Sequence, residues 1–221
     1  MFLVKYLKRE MSLARFLYSH HKLWEACLIG NLSEFSYYLP LCQTDASLNY
    51  VHDDSTPLKN AIKVGSHEMT RTLLERGCNP HKTEPLLYIV TFGMTDFLEL
   101  FLEYGVDITL QYDIDQTALM VACYFSRLDM VRRLLPHYTP EKIRLRDVNG
   151  FNCLMYAIQF DNEDIVREIL TTCPEIKDDQ NYEFKTPYQV AQDNYAIGCM
   201  HVLSGESIGT IPSESVIVDY F

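Results

Sequence analysis

The sequence predicts an all-α solenoid of about six short helix pairs, on three observations. First, residues 116–135 contain two apolar stripes with helical spacing, separated by the polar turn Ser126 to Asp129. Second, this unit recurs along the chain at intervals of 28 to 35 residues, and a fixed period of this length indicates a repeat array. Third, helices this short are marginal in water, so each pair must be stabilised by packing against its neighbours.

The copies align on a small apolar position in the first helix. Four residues after it stands a turn residue, which is glycine in the first three copies. Three residues further on, an acid recurs as Glu68, Asp96, Asp129 and Asp164. An acid there faces the free N–H groups at the start of the second helix, which it stabilises. The aligned positions are Ala26, Ala61, Ile89, Ala122, Ala157 and Ala191.

The ends of the helix pairs carry two motifs that resemble those of the ankyrin repeat family. The opening motif is clearest at Thr56-Pro57-Leu58, and the closing motif is clearest from Leu73 to Asn79, with glycine at position 77. Proline suits the first position of a helix and glycine the position after its end. The resemblance covers roughly residues 20–204. It implies a single curved stack of six pairs, with the first helices on the concave side; an unrelated helical bundle with accidental periodicity is the alternative.

A continuous stack predicts one repeat domain at residues 22–204, preceded by a capping helix at 1–21 and followed by a tail at 205–221. Charged residues interrupt the apolar face of residues 2–18, which favours a helix that covers the first repeat over a secretory signal. An amphipathic membrane anchor is the alternative for this segment. For the tail, the alternatives are a cap on the last repeat, a peptide ligand and a secretion signal.

Two connections between pairs differ from the rest. The segment from Gly77 to Pro85 is short, so we expect it to lack the projecting finger that the family places between repeats. From Thr139 to Ile143, a threonine cap followed by Pro140 predicts a short extra helical turn.

Composition excludes several function classes. The net charge is −11, and residues 1–22 hold five basic residues and one acid, so residues 23–221 carry −15. An acidic body repels phosphate, which argues against nucleic-acid binding. No apolar run is long enough to span a membrane. Seven cysteines without a Cys-x-x-Cys pair predict buried thiols in a reducing, cytoplasmic compartment, with neither a disulfide framework nor a zinc site.

No motif for catalysis, a cofactor or a metal occurs in the sequence. We therefore predict a protein without catalytic, cofactor-binding or metal-binding residues. An enzyme whose active site assembles only in three dimensions is the remaining alternative.

The first helices carry the most informative pattern. In ankyrin repeats, two positions between the small residue and the turn face the groove and are usually polar. In this chain the second of them is apolar in five successive copies, Ile29, Val64, Phe92, Phe125 and Phe160. Either these side chains form an exposed strip that binds a partner, or they are ordinary core residues. The predicted partner-binding residues are Val64, Phe92, Tyr112, Tyr124, Phe125, Phe151 and Phe160.

The function that follows is a monomeric, non-enzymatic adaptor that binds a protein or peptide in its concave groove. Its acidic body predicts a partner with basic and apolar residues. A narrower alternative is an ankyrin effector that an intracellular bacterium or virus delivers into the host cytosol.

Overall fold

A computed structural model describes residues 18–205, within which only helices, turns and isolated β-bridges form. The predicted all-α class is therefore confirmed. The chain divides into two compact units, Met1–Tyr112 and Asp113–Phe221. Each unit contains three of the six predicted helix pairs within the described residues.

In the first unit, the pairs are α1 with α2, α4 with α5, and α6 with α7. A short helix, α3, lies in the connection between the first two pairs. The bounds are residues 18–29 (α1), Leu32–Tyr38 (α2), Asp45–Leu48 (α3), Pro57–Lys63 (α4), His67–Glu75 (α5), Pro85–Phe92 (α6) and Thr95–Glu103 (α7).

In the second unit, the pairs are α8 with α9, α11 with α12, and α13 with α14. The first helix α11 packs between the first helices α8 and α13. The bounds are Ala118–Tyr124 (α8), Leu128–Leu134 (α9), Pro140–Ile143 (α10), Cys153–Gln159 (α11), Glu163–Thr172 (α12), Pro187–Asp193 (α13) and Ile197–Ser204 (α14).

Threonine side chains start three of the first helices. Thr56, Thr117 and Thr186 each accept a hydrogen bond from the backbone N–H three residues later. Asn152 does the same for α11. Because the first N–H groups of a helix lack partners within it, these caps define where each pair begins.

The small aligned residues let neighbouring helices approach closely. Five of the six aligned positions are alanine, and all six are fully buried. The turn residue after each first helix has a left-handed backbone, including the three that are not glycine, with φ of 57° at Ser126, 51° at Asp161 and 56° at Tyr195. The repeat geometry is therefore kept where the glycine is lost.

The connections follow the sequence prediction. Residues 78–84 contain turns and no β-bridge, in keeping with their short length. The predicted extra turn is confirmed as α10, where the Thr139 hydroxyl accepts a hydrogen bond from the Lys142 N–H.

The two predicted terminal segments lie mostly outside the described residues. Residues 18–21 belong to α1 and continue directly into the first repeat, and the remainder of the expected capping helix lies outside the described range. So do residues 206–221, which carry the cap, ligand and secretion-signal alternatives for the tail. Within residues 18–205, no helix is both long and apolar enough to cross a bilayer.

Candidate partner-binding site

The apolar column at the ends of the first helices is exposed to solvent. Phe92 in the first unit is 59% exposed and Phe160 in the second unit is 52% exposed. The other three members, Ile29, Val64 and Phe125, are also exposed. These side chains are therefore not core residues of either unit, and each belongs to the part of its repeat that precedes the left-handed turn.

In the second unit, four aromatic rings from two successive first helices form a cluster. The Tyr124 ring lies 5.0 Å from Phe125, 5.2 Å from Phe160 and 5.8 Å from Tyr156, measured between centroids. All three contacts are edge-on, which is a favourable geometry for aromatic pairs. Tyr124, Phe125 and Phe160 are exposed, whereas Tyr156 is buried. The cluster therefore has an anchored base and an accessible upper surface.

The base is fixed by a buried carboxylate in the connection before α11. The Tyr156 hydroxyl donates to Asp147 Oδ2 at 2.5 Å. Asp147 Oδ1 also accepts the backbone N–H groups of Asn149 and Phe151, each at 2.9 Å. Burial, and then the hydrogen bond to Asp147, raises the pKa of Tyr156 to about 12. The phenol thus stays neutral and holds the connection against the helix.

Phe151 lies at the edge of this cluster and is half-buried. Its ring packs 5.6 Å from that of Tyr156. The predicted site residue Phe151 therefore adjoins the cluster, but it offers less open surface than Phe125 or Phe160.

In the first unit, the predicted site residues are arranged differently. Phe92 packs against Tyr88 of the same helix, with 4.5 Å between ring centroids. Tyr112 is half-buried, and its hydroxyl lies 3.1 Å from Nδ1 of His81. Burial raises the pKa of Tyr112. Tyr112 therefore packs against the preceding connection, which contains His81, while Val64 and Phe92 remain open.

Sequence reasoning missed a second group of exposed apolar residues, on the connections of the second unit. They are Ile114, Val148, Tyr182 and Phe184. Three of them alternate with acids, in Asp113-Ile114-Asp115 and Tyr182-Glu183-Phe184. Apolar residues within such short polar turns were the signal that could have identified them.

The cysteines have no features of a reactive site. All seven are free and buried. Burial raises the pKa of the Cys27 and Cys199 thiols, and of Cys123 as well, which suppresses the nucleophilic thiolate. Among residues 18–205, no group of three or more histidine, cysteine or acidic side chains is arranged to hold a metal ion.

Comparison with known proteins agrees with this architecture. The family model for ankyrin repeats (3 copies) matches residues 23–112 and 86–182. No curated protein sequence matches the chain.

Three solved structures resemble the chain, each at 19% identity. The match to an ankyrin repeat domain from Acinetobacter baumannii AYE covers 83% of this chain and 96% of that domain, with a TM-score of 0.70. The match to the ankyrin repeat protein EF0377 covers 84% of this chain and 98% of that protein, with a TM-score of 0.72. The third match is to a chain from the complex of the Bdellovibrio bacteriovorus predatory endopeptidase Bd0816 with the immunity protein Bd3460; it covers 84% of this chain and 98% of that chain, with a TM-score of 0.69. At this identity the likeness supports the fold alone.

Proposed function

Because the chain belongs to the ankyrin repeat family, whose members are protein–protein interaction modules, we propose that it binds a protein or peptide without catalysing a reaction. We call the seven residues of the proposed surface the first-helix strip; three of them lie in the first unit and four in the second. Within each unit, the packed repeats hold such side chains in place before binding, so little conformational entropy is lost on association. The strip comprises Val64, Phe92, Tyr112, Tyr124, Phe125, Phe151 and Phe160.

The observation that carries the proposal is the exposed aromatic cluster of the second unit. Tyr124 contacts both Phe125 and Phe160, yet each of the three side chains leaves more than two fifths of its surface open. Soluble proteins seldom expose several large rings together unless the patch binds something. Aromatic residues also dominate the energetics of interfaces, because they bury a large area at low entropic cost.

Charge supports a partner with basic residues around an apolar motif. Residues 23–221 carry a net −15. Such a field attracts basic segments and repels acidic ones, and it speeds the first encounter more than it strengthens the final complex. The apolar rings supply the affinity in this proposal, and the acidic surroundings supply the selectivity.

Val64 and Phe92 take the same role within the first unit, where both are exposed. The half-buried Tyr112 and Phe151 act as walls beside the open residues in this proposal. Seven free, buried cysteines support a reducing compartment such as the cytoplasm.

A selection from a random peptide library tests the proposal. Peptides that bind the wild-type protein are sequenced, and their Kd values are measured for the wild type, Phe125→Ala and Tyr37→Ala. Tyr37 is the matched control, because it is an exposed aromatic residue on a second helix.

We expect peptides that combine apolar residues with Lys or Arg, and a loss of about 2 kcal/mol or more with Phe125→Ala, as for a hot-spot aromatic residue. Tyr37→Ala should leave the affinity unchanged. Equal binding by Phe125→Ala and the wild type would overturn the proposal, as would selection of acidic peptides.

A further inference from the structure

A cavity of about 370 Å³ lies in the second unit, where the connection before α11 meets the connection before α13. Arg146 of the first connection lines one part of it, and residues 178–182 and Phe184 of the second connection line the rest. The volume falls within the range of roughly 300–1,000 Å³ that is typical of small-molecule sites. The cavity shares no residue with the first-helix strip and is a separate candidate site.

The wall formed by the second connection is held in place by Asn181. This side chain is only 4% exposed, and its Oδ1 accepts hydrogen bonds from the backbone N–H groups of Glu183 and Lys185 at 2.9 and 3.0 Å. Gly150 of the first connection packs so tightly here that a Cβ at its position would stand 2.5 Å from the Tyr182 backbone nitrogen. The cavity is therefore shaped before a ligand arrives, which lowers the entropic cost of binding.

Two charges of opposite sign line the cavity. Asp179 offers no free charge, because it is buried and paired with Arg144. The Asp178 carboxylate forms no ion pair or hydrogen bond with any residue in the described range 18–205. Arg146 carries five N–H donors, enough to hold a ligand carboxylate beside its contacts within the protein. The cavity therefore presents one cation and one anion to a ligand.

Two aromatic rings supply an apolar surface at the same cavity. Tyr182 is 61% exposed and Phe184 is 78% exposed, so both rings have area that a ligand can cover. Phe184 also has a left-handed backbone, with φ of 61°, which is unfavourable for an aromatic residue. Strain of this kind is typical of positions that clamp a ligand.

We propose that this cavity binds a free α-amino acid with an aromatic side chain. The ligand carboxylate pairs with Arg146, its ammonium group pairs with Asp178, and its side chain packs on Tyr182 and Phe184. A ligand with only a positive charge is repelled by Arg146, and one with only a negative charge is repelled by Asp178. A residue inside a polypeptide carries neither charge on its backbone, so it leaves both protein groups without a ligand partner.

A matched series of ligands tests this assignment. L-phenylalanine carries both charges, phenethylamine carries only the ammonium group, hydrocinnamate carries only the carboxylate, and N-acetyl-L-phenylalanine amide carries neither. Binding of each compound to the full chain is measured by isothermal titration and by saturation-transfer NMR. We expect L-phenylalanine to bind about tenfold more tightly, or better, than the other three, because it alone makes both charge-assisted contacts.

Charge-neutral variants assign each contact. Arg146→Gln should weaken L-phenylalanine binding about tenfold or more but not weaken phenethylamine, since only the carboxylate loses its partner. Asp178→Asn should weaken L-phenylalanine but not hydrocinnamate. Lys177→Gln is the matched control, because Lys177 is an exposed charge next to Asp178 in the chain that does not line the cavity.

Phe184→Asn is a further variant, in which asparagine accepts the left-handed backbone while the ring is removed. It should keep the midpoint of urea denaturation and weaken L-phenylalanine binding, which keeps the proposal testable if a charge variant does not fold.

Equal affinity for L-phenylalanine and phenethylamine would overturn the proposal, because the carboxylate contact would then be absent. So would a wild-type protein that binds none of the four compounds, or a loss with Lys177→Gln equal to that with Asp178→Asn. Binding of N-acetyl-L-phenylalanine amide as tight as that of L-phenylalanine would also overturn it and indicate a polypeptide ligand. Phe125→Ala should leave amino-acid binding unchanged, so failure here is independent of the first-helix strip.

Discussion

The ring of Tyr124 meets that of Phe160 edge-on, with centroids 5.2 Å apart and planes at 90°, although both side chains are exposed. The two residues belong to successive repeats, at the ends of α8 and α11. Their contact stabilises the surface locally while 43% of Tyr124 and 52% of Phe160 stay exposed. The cluster can therefore be probed by substitution without disrupting the core.

Phe160→Ala should lower the free energy of unfolding by about 0.5–1.5 kcal/mol, the value of an aromatic pair. Leu154→Ala is the core comparison in the same helix, because Leu154 is fully buried, and it should cost about 2–5 kcal/mol by leaving a cavity. Urea denaturation of both variants measures the difference. Equal losses would mean that Phe160 acts as a core residue.

Arg144→Ala should destabilise the protein more than Arg132→Ala. Arg144 forms a two-point ion pair with Asp179, whose side chain is only 5% exposed. Arg132 pairs with Glu168 through Nε at 2.6 Å, where the two side chains are 54% and 34% exposed. Removing Arg144 leaves a buried carboxylate without its cation, whereas an exposed pair contributes little.

Denaturation midpoints in urea distinguish the two cases, since Arg132→Ala should remain close to the wild type. A similar small effect for both variants would show that Asp179 is hydrated once Arg144 is absent.

Tyr195→Gly should raise the free energy of unfolding by about 1 kcal/mol. Tyr195 has φ of 56° and is 86% exposed, so glycine removes left-handed strain while little packing is lost. Asp161→Gly is the contrasting change at the same position of the preceding repeat. Asp161 Oδ1 accepts a hydrogen bond from the N–H of Cys199 at 2.9 Å. Because glycine removes this hydrogen bond, its loss should offset the stability gained by relieving the strain. Destabilisation by Tyr195→Gly would contradict this account.

Stability should fall as the pH rises above about 9. Burial raises the pKa of Cys42 to about 11 and that of Cys78 to about 12, from a usual value of 9.0. The folded state then holds protons that the unfolded state has released, so stability is complete below pH 9 and is lost as pH rises through each folded pKa. Urea midpoints at pH 8 and pH 10.5 measure the loss.

Cys42→Ala should reduce this pH dependence, because it removes one of the titrating thiols. If stability falls as steeply with pH in that variant as in the wild type, the Cys42 thiol does not contribute to the pH dependence.

The repeat pattern was sufficient to predict the six helix pairs, since small residues, threonine caps and turn residues recur in phase. It also predicted the α10 turn from Thr139 and Pro140. The sequence did not predict the left-handed turns at Asp161 and Tyr195, where no glycine signals the conformation. Those turns are imposed by the packing of the two helices that they join.

The candidate site was predicted only in part. For Phe92, Phe125 and Phe160 the sequence left two alternatives, an exposed strip or core packing, and the structure shows all three side chains exposed. The half-burial of Tyr112 and Phe151 depends on contacts with His81 and Tyr156 from other parts of the chain, which sequence spacing does not reveal. The exposed apolar residues on the connections of the second unit were missed although a signal was present, because apolar side chains stand within short polar turns there.

Site-specific photo-crosslinking tests the central claim, that the first-helix strip contacts a polypeptide, most directly. A benzophenone amino acid is placed at position 125, 160 or 37 and irradiated with a peptide selected on the wild-type protein. Positions 125 and 160 should crosslink to the peptide, while position 37, an exposed aromatic residue on α2, should not. Crosslinking at position 37 that equals that at 125 and 160, or none at 125 and 160, would contradict the account.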